Sequence, residues 1–323
     1  MDEIKKAGTC VVSRAGPCGL VIFGASGDLA RKKLFPSVFK LFRAGQLAPG
    51  FFMAGCGRTD MDDGSFKVLV RKAVMEAGLN PQEKEMNDFA ARVYYCRVVY
   101  GEKDSYAELA GKLKGLHDLY ATGGNSVFFL AVPPNVHADI AGNLALSGLA
   151  VPGDMPFTRI LVEKPFGRDL QSANALNEAL SGCCGENQIY RVDHYLGKNT
   201  VQNLLVFRFG NSVFEQVWNS GHIESVQVVF SEKGGIEGRA GYFESAGLIR
   251  DVFQNHILQL VALVAMEKPA GLTAEAVMAE KEKLISAIRP FETEALENQI
   301  IRGQYRGYRN EQGVDKNSCV ETF

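Results

Sequence analysis

The chain has 323 residues, 46% of them hydrophobic and 22% charged, a globular composition that excludes a disordered or fibrous protein. Its 35 lysines and arginines nearly balance its 37 aspartates and glutamates, which leaves a formal net charge of -2. This balance argues against nucleic acid or an anionic membrane surface as the main partner, since both bind preferentially to proteins with an excess of basic residues.

The cysteines and the apolar segments bear on the compartment. Seven cysteines without a C-x-x-C pair indicate a reducing environment, not a disulfide framework. The first ten residues lack the apolar region of a secretory signal, and no segment reaches the length of a membrane helix. We therefore expect a soluble, cytoplasmic protein.

After an N-terminal extension (residues 1–18), residues 19–190 alternate short apolar runs with amphipathic stretches. The predicted strands are Leu20–Phe23, Phe51–Ala54, Val127–Val132 and Ile160–Val162. The predicted helices include Leu34–Phe42, Phe66–Glu76 and Tyr106–Leu113. This alternation predicts an α/β domain with a doubly wound, Rossmann-type parallel sheet.

The first strand runs into a glycine turn that opens a helix. Gly24 permits the turn, Gly27 lets the backbone approach a phosphate, and Ala30 allows close packing of the helix. Free N–H groups at such a helix start hold a pyrophosphate well. Because the spacing is G-x-x-G and not G-x-G-x-x-G, a βα turn without a ligand is the alternative interpretation.

The second strand ends in a cation, where NAD-binding domains usually place an acid. Arg58 suits the 2′-phosphate of NADP through charge-assisted hydrogen bonds, although nearby Asp60 leaves NAD possible. Lys164 follows the strand Ile160–Val162 at the edge where doubly wound sheets bind ligands. His137, after another strand end, is a further candidate for lining the cofactor cleft.

Residues 191–323 differ in character and predict an α+β domain. Helical segments at Lys198–Arg208 and Asp251–Met266 flank an alternating run, Glu224–Phe230, that predicts a strand.

Two polar groupings mark this second domain. His194, Tyr195 and Lys198 are close enough in sequence to form a cradle for a phosphate dianion. His256, where a helix becomes apolar, suits a general base that takes a hydroxyl proton, with a carboxylate on its second nitrogen. The residues alone do not say which carboxylate, and a structural histidine is the alternative. No spacing typical of a metal site occurs, so we expect none.

These segments, in this order, resemble glucose-6-phosphate dehydrogenase. The matching stretches are GASGDLARKKLFPS (Gly24–Ser37), FFLAVPP (Phe128–Pro134), LVEKPFGRD (Leu161–Asp169), RVDHYLGK (Arg191–Lys198), EGRAGYFE (Glu237–Glu244) and RDVFQNH (Arg250–His256). Several long motifs in the family's own order make the match specific.

The resemblance implies NADP-dependent oxidation of the C1 hydroxyl of glucose 6-phosphate to a 6-phosphogluconolactone, the first step of the oxidative pentose phosphate pathway. Full-length members of the family are homo-oligomers, and the resemblance leaves the oligomeric state of this chain open. It also implies a second domain built on a large, mainly antiparallel sheet that is incomplete here. The implied cofactor contacts are Gly24, Ser26, Gly27, Asp28, Leu29, Arg58 and Lys164. The implied substrate contacts are Lys164, His194, Tyr195, Lys198, Glu232 and Asp251, with His256 as the base and Asp193 orienting it.

The chain departs from the family pattern in two respects. It matches only the first two-thirds of that pattern, and Glu232 is followed by Lys233-Gly234-Gly235 where family members carry a proline. Two alternatives therefore stand beside the dehydrogenase. One is a fragment that binds NADP without turnover, and the other is a neutral-sugar oxidoreductase of the glucose–fructose oxidoreductase kind.

Overall fold

The computed structural model describes residues 16–153, 155–236, 238–290, 292 and 296–323. Most of the predicted N-terminal extension, residues 1–15, lies outside the described residues. The chain divides into two compact units between Val192 and Asp193, two residues from the boundary predicted at 190/191.

A six-stranded sheet forms the centre of the first unit. Its strands are β1 (Gly19–Phe23), β2 (Phe52–Gly57), β3 (Val93–Arg97), β4 (Ser126–Leu130), β5 (Thr158–Glu163) and β6 (Ile189–Val192). All pairs are parallel, and the order is β3-β2-β1-β4-β5-β6. The predicted doubly wound, Rossmann-type sheet is thereby confirmed. Sequence patterns alone missed β3 and β6.

Helices cover both faces of this sheet. They are α1 (Phe35–Arg43), α2 (Asp63–Glu76), α3 (Glu83–Ala90), α4 (Lys103–Tyr120), α5 (His137–Leu146) and α6 (Leu170–Ser181). On β1, Val21 and Phe23 enter the core beneath α4, α5 and α6, whereas Ile22 enters the core beneath α1, α2 and α3. Because successive strand side chains point to opposite faces, a sheet covered on both sides needs continuous apolar runs.

Parallel strands place all their carboxyl ends at one edge of the sheet. The strand order reverses between β1 and β4, so the loops that follow these two strands diverge there and leave a crevice. The loop at Gly24 and the segment Ala131–Pro133 form the two sides of that crevice.

The second unit is helical in its described residues. Its α-helices are α7 (Asn199–Phe209), α8 (Ser212–Glu215), α9 (Ala240–Leu248), α10 (Leu258–Ala265), α11 (Ala274–Ala287) and α12 (Leu296–Gln299). A π-helical segment, Ile249–Ile257, leads directly into α10. Arg208 anchors the end of α10 by donating to the carbonyl oxygens of Leu263 (2.6 Å) and Met266 (2.8 Å).

The antiparallel sheet expected for the second unit is not present among its described residues, none of which is in a strand. Glu224–Phe230 is irregular, and Val226 is 55% exposed. Alternating apolar residues make a strand only when a neighbouring strand completes the hydrogen-bonded ladder, and no described segment does so here. Among the described residues, no helix is both long enough and apolar enough to span a bilayer.

Candidate functional site

The glycine loop after β1 has the shape that a dinucleotide-binding turn needs. Gly24 has φ +80°, and a Cβ there would lie 2.2 Å from the carbonyl oxygen of Ala131. The N–H groups of Gly24 and Ala25 donate to the Cys56 carbonyl, and that of Gly27 donates to the Gly24 carbonyl. Only glycine fits the first position, because it combines a left-handed backbone with close packing.

This loop borders a cleft of about 450 Å³ at the switch point of the sheet. Its lining residues are Gly24, Ser26, Gly27, Arg58, Thr59, Tyr100, Ala131, Val132 and Pro133. The helical segment begins at Asp28, and the N–H groups of a first helical turn have no partner within the helix. With the partial positive charge of a helix start, these features fit a pyrophosphate.

Arg58 lies exposed on this cleft, on a loop that is firmly held. The Tyr95 hydroxyl donates to the carbonyl oxygens of Gly57 (3.1 Å) and Thr59 (2.7 Å). The Thr59 hydroxyl donates to Ser26 Oγ at 3.2 Å, which ties this loop to the glycine loop. The structure therefore brings together four of the predicted cofactor residues, namely Gly24, Ser26, Gly27 and Arg58.

The other predicted cofactor residues lie outside the lining of the cleft. Asp28 is exposed and ion-pairs with Lys32 at 2.9 Å, and Leu29 beside it is 38% exposed. Lys164 follows β5 at the carboxyl edge, and the Lys164–Pro165 peptide bond is cis.

His137 is a correction among these predictions. It is 1% exposed, and its Nε2 lies 3.0 Å from the carbonyl oxygen of Val132. Burial lowers the pKa of its imidazole. His137 thus packs beneath the strand end instead of lining the cleft.

In the second unit, Asp193 and His256 form a hydrogen-bonded pair. The Nδ1 of His256 lies 2.6 Å from Oδ1 of Asp193, and the same oxygen accepts from the backbone N–H of Tyr195 at 2.9 Å. The side chains of His256 and Asp193 are 2% and 14% exposed. Because a carboxylate accepts, the imidazole proton is on Nδ1, and the lone pair is on Nε2. Sequence reasoning left open which carboxylate meets His256, and the structure gives that contact to Asp193.

His194, Tyr195 and Lys198, which we call the phosphate cradle, surround this pair. The rings of Tyr195 and His256 stack with centroids 4.0 Å apart, and His194 meets His256 edge-on at 4.7 Å. Lys198 Nζ lies 3.3 Å from the centroid of the Tyr195 ring. His194 and Lys198 are exposed, so two basic side chains border a nearly buried acid–base pair.

The cradle residues lie in a series of tight turns and not in a helix. The N–H groups of Leu196, Gly197 and Lys198 donate to the carbonyls three residues earlier. In such turns, residues three apart eclipse one another, which brings Lys198 over Tyr195. The helix begins only at Asn199.

Asp251 and His256 both lie on the π-helical segment. Hydrogen bonds between residues five apart stack positions at that spacing, which places these two residues on one face. Asp251 is 8% exposed and accepts a hydrogen bond from the Tyr242 hydroxyl at 2.9 Å. Burial, followed by the Asp251 charge, raises the pKa of Tyr242.

Glu232 is not brought to this cluster by any contact in the structure. It lies exposed in an irregular segment, and no hydrogen bond or ion pair joins it to the described residues. Glu237, which begins one of the matching motifs, lies outside the described residues.

Asp193, His194 and His256 also offer donor atoms within 4.8 Å of one another, a grouping able to hold a metal ion. Sequence spacing did not indicate it, because the histidines come from distant segments. Within the group, Asp193 and His256 are joined by a hydrogen bond, and Lys198 lies over the ring of the adjacent Tyr195. This arrangement is chemically suited to moving a proton at His256 and to attracting an anion.

Sequence reasoning did not single out Lys281, Tyr242, Thr59 or Tyr100. Lys281 lies in a charged stretch of α11 that is typical of a solvated helix face, so its half-buried position was not visible in the sequence.

Family models match nearly the whole chain. The model described as "Glucose-6-phosphate dehydrogenase, NAD binding domain" matches residues 21–203. The model described as "Glucose-6-phosphate dehydrogenase, C-terminal domain" matches residues 205–323. These matches do not favour the neutral-sugar oxidoreductase considered above.

Curated relatives and solved structures agree with these models. "Glucose-6-phosphate 1-dehydrogenase 2" of Mycobacterium tuberculosis (strain ATCC 25618 / H37Rv) is 41% identical over 320 residues, covering 96% of this chain and 62% of the relative. "Glucose-6-phosphate 1-dehydrogenase" of Bacillus subtilis (strain 168) is 39% identical over 314 residues, covering 94% and 63%. A structure described as "Glucose-6-phosphate dehydrogenase in complex with its substrate glucose-6-phosphate" superposes with a TM-score of 0.85 at 36% identity, covering 96% of this chain and 64% of that chain. This chain thus spans less than two-thirds of the length of these relatives.

Proposed function

The chain belongs to the glucose-6-phosphate dehydrogenase family, and from that premise we propose that it oxidises the C1 hydroxyl of glucose 6-phosphate to 6-phosphogluconolactone with NADP. The observation that supports this most directly is the Asp193–His256 pair bordered by the basic residues of the phosphate cradle. One relative's structure is described as a complex with glucose 6-phosphate.

His256 is the proton acceptor in this proposal. The C1 hydroxyl gives its proton to Nε2 of His256, and the C1–H bond breaks with its electron pair as the C1–O double bond forms. Asp193 holds the proton on Nδ1 and stabilises the imidazolium that results, since the 2.6 Å bond becomes a charge-assisted one. The dinucleotide, when bound, supplies the hydride acceptor.

The phosphate cradle holds the 6-phosphate. The Lys198 ammonium, the His194 imidazole and the Tyr195 hydroxyl are donors for phosphate oxygens. A phosphorylated sugar is thereby favoured over a free sugar, because the latter would leave the exposed cations at this cradle without an anion. By family resemblance, Lys164, Asp251 and Glu232 are the further sugar contacts.

The first unit binds the dinucleotide, and Arg58 selects NADP. The pyrophosphate lies against Gly24, Ser26, Gly27, Asp28 and Leu29, and Lys164 is a further cofactor contact by resemblance. The arginine on the cleft presents a fork of donors that matches a phosphate better than a ribose hydroxyl. The matching family model is described as NAD binding, so the preference for NADP over NAD is our proposal.

We also infer a cytoplasmic location for the chain. The described cysteines Cys18, Cys56, Cys96, Cys183, Cys184 and Cys319 are free thiols, as in a reducing compartment.

The test is reduced-nicotinamide absorbance on the purified chain, with glucose 6-phosphate and either NADP or NAD. The proposal expects turnover with NADP that stops in His256→Asn, while dinucleotide affinity is retained. Equal rates with free glucose would overturn the assignment of the substrate. Tight NADP binding without turnover by a folded chain would instead support the fragment alternative, in which the missing third of the family length is required.

A further inference from the structure

The loop that carries Arg58 is held by side chains of β3. The Tyr95 hydroxyl oxygen lies 3.1 Å from the carbonyl oxygen of Gly57 and 2.7 Å from that of Thr59, so its single proton is shared between the two carbonyls. Nε of Arg97 donates to the carbonyl oxygen of Arg58 at 3.4 Å. The backbone on either side of Arg58 is therefore fixed from the neighbouring strand.

The side chain of Tyr95 is buried and closely packed. It is 2% exposed, and its ring packs against that of Phe66 with centroids 5.1 Å apart. A Cβ at Gly57 would lie 3.1 Å from the Tyr95 hydroxyl oxygen, so the absence of a side chain there lets the hydroxyl approach the end of β2. A hydroxyl on a ring packed in this way is a fixed point for the loop that it contacts.

The backbone of Tyr95 is held at the edge of the sheet. β3 is the last strand on this side, so the N–H and C=O groups of alternate residues face away from β2. Oδ1 of Asp63 accepts from the Tyr95 N–H at 2.6 Å, and Nζ of Lys112 donates to the Tyr95 carbonyl oxygen at 2.5 Å. Asp63 and Lys112 come from α2 and α4, on opposite faces of the sheet, and form an ion pair at 2.8 Å. This ion pair fixes the position of Tyr95 along the strand.

We propose that Tyr95 is a positioning residue for Arg58, its hydroxyl holding residues 57–59 so that the guanidinium stays where the 2′-phosphate of NADP binds. This inference rests on the proposed function, in which Arg58 selects NADP. Tyr95 is not among the residues that line the cleft, so it acts through the backbone that carries Arg58. A side chain held in place before binding gives higher affinity, because less conformational freedom is lost when the phosphate binds.

The same loop also contacts the glycine loop, since the Thr59 hydroxyl donates to Ser26 Oγ at 3.2 Å. If Tyr95 acted mainly through this contact, its loss would weaken binding of the pyrophosphate, which NAD and NADP have in common. The ratio of the two dinucleotide affinities therefore separates the positioning of Arg58 from a general effect on the cleft.

The test measures the Kd of NADP and of NAD by calorimetry for Tyr95→Phe, Arg58→Ala and the double variant of the full chain. Tyr95→Phe removes only the hydroxyl, and we expect the Kd of NADP to rise about 3- to 10-fold while that of NAD stays within about twofold. In the Arg58→Ala background the same replacement should change neither Kd, because the side chain that Tyr95 positions is gone.

Tyr94→Phe is the matched control. Tyr94 lies one residue earlier on β3, and its hydroxyl donates to the carbonyl oxygen of Ala91 at 3.2 Å and lies 2.9 Å from the hydroxyl oxygen of Tyr120. Both Kd values of this variant should equal those of the parent, since its hydroxyl does not contact the loop that carries Arg58.

Three results for Tyr95→Phe would overturn the proposal: an unchanged Kd of NADP, equal losses for both dinucleotides, or the same loss in the Arg58→Ala background. If Tyr95→Phe does not fold, Lys112→Met removes the donor to the Tyr95 carbonyl oxygen and should lower the preference for NADP over NAD by about twofold or more. An unchanged preference in that variant would overturn the proposal.

The same measurements separate this inference from the proposed function. A preference for NADP that survives in Arg58→Ala would remove Arg58 from the choice of dinucleotide, and the role of Tyr95 with it. A preference that is lost in Arg58→Ala but kept in Tyr95→Phe would overturn only the role of Tyr95. Neither result depends on turnover, so a chain that binds dinucleotide without oxidising glucose 6-phosphate still tests this inference.

Discussion

Oδ1 of Asp193 lies 2.6 Å from Nδ1 of His256, although 63 residues separate them in sequence. The turns after β6 fix the carboxylate, and the π-helical segment before α10 fixes the imidazole. Both side chains have little exposure to solvent, and a hydrogen bond between such groups is stronger than one at the protein surface. The hydrogen bond thus fixes the orientation and the tautomer of the His256 imidazole, as the proposed role of His256 as a base requires.

Asp193→Asn tests this relationship most directly. The amide preserves the shape but removes the charge that stabilises an imidazolium and the constraint that keeps the proton on Nδ1. We expect kcat for glucose 6-phosphate oxidation to fall by about 10³-fold or more. NADP affinity, measured by titration calorimetry, should stay within about twofold, because the dinucleotide site is in the first unit. A fall in kcat below tenfold would remove Asp193 from the orienting role.

Lys198→Ala tests the phosphate cradle. A charge-assisted hydrogen bond is worth about 1.5–3 kcal/mol, so the Kd for glucose 6-phosphate should rise about 10- to 100-fold. Lys283→Ala, which removes an exposed lysine of the same unit, is the matched control and should leave that Kd unchanged. Equal losses of sugar-phosphate and NADP affinity in Lys198→Ala would point to general damage instead.

Local signals in the sequence predicted the parallel sheet and the glycine loop of the first unit, although they missed β3 and β6, and they were insufficient for the second unit. The glycine loop was recognisable because its turn, strand and helix are contiguous, and Gly24 does adopt the positive φ that this pattern needs. The contact between His256 and Asp193 could not be predicted from local patterns, because it joins distant segments of the chain. It also depends on a π-helical segment, whose side-chain positions do not follow the 3.6-residue period of an α-helix. The strand predicted at Glu224–Phe230 is absent from the structure. An alternating pattern specifies which face of a strand is apolar, but it does not supply the neighbouring strand that must pair with it.

Arg58→Ala tests the choice of dinucleotide. The arginine is exposed on the cleft, and its loss should weaken NADP binding about 10- to 100-fold while leaving NAD binding nearly unchanged. The measurement is the Kd of each dinucleotide by calorimetry. Arg302→Ala removes an exposed arginine of the second unit and controls for the change in net charge. If NADP and NAD affinities fall together, Arg58 contributes to folding of the loop and not to discrimination.

Gly24→Ala tests the shape of the glycine loop. The left-handed backbone conformation costs a residue with a Cβ about 1–2 kcal/mol. The new methyl group would also lie 2.2 Å from the carbonyl oxygen of Ala131, which is a steric clash. We expect a loss of unfolding free energy about 1–3 kcal/mol larger than in the control, with loss of dinucleotide binding. The control is Gly45→Ala, where φ is +65° but a Cβ meets nothing within 4 Å. Equal losses in the two variants would show that the close contact relaxes easily.

Two histidines of the first unit, half-buried His117 and buried His137, should make its stability depend on pH. Burial lowers the pKa of His117, whose Nε2 lies 3.2 Å from the Ser126 hydroxyl oxygen, and it lowers that of His137 as well. The contribution of these two histidines to the free energy of unfolding is complete above the pKa of histidine in the unfolded chain, about 6.5. It is lost as the pH falls, because the unfolded chain then binds protons that the folded chain does not. Urea unfolding at pH 7.5 and 5.5 should show a loss of up to about 1.4 kcal/mol per histidine per pH unit below 6.5.

His117→Gln combined with His137→Gln should reduce this pH dependence, whereas His222→Gln, at an exposed position, should not. An equally steep loss in the double variant would assign the pH dependence to other groups.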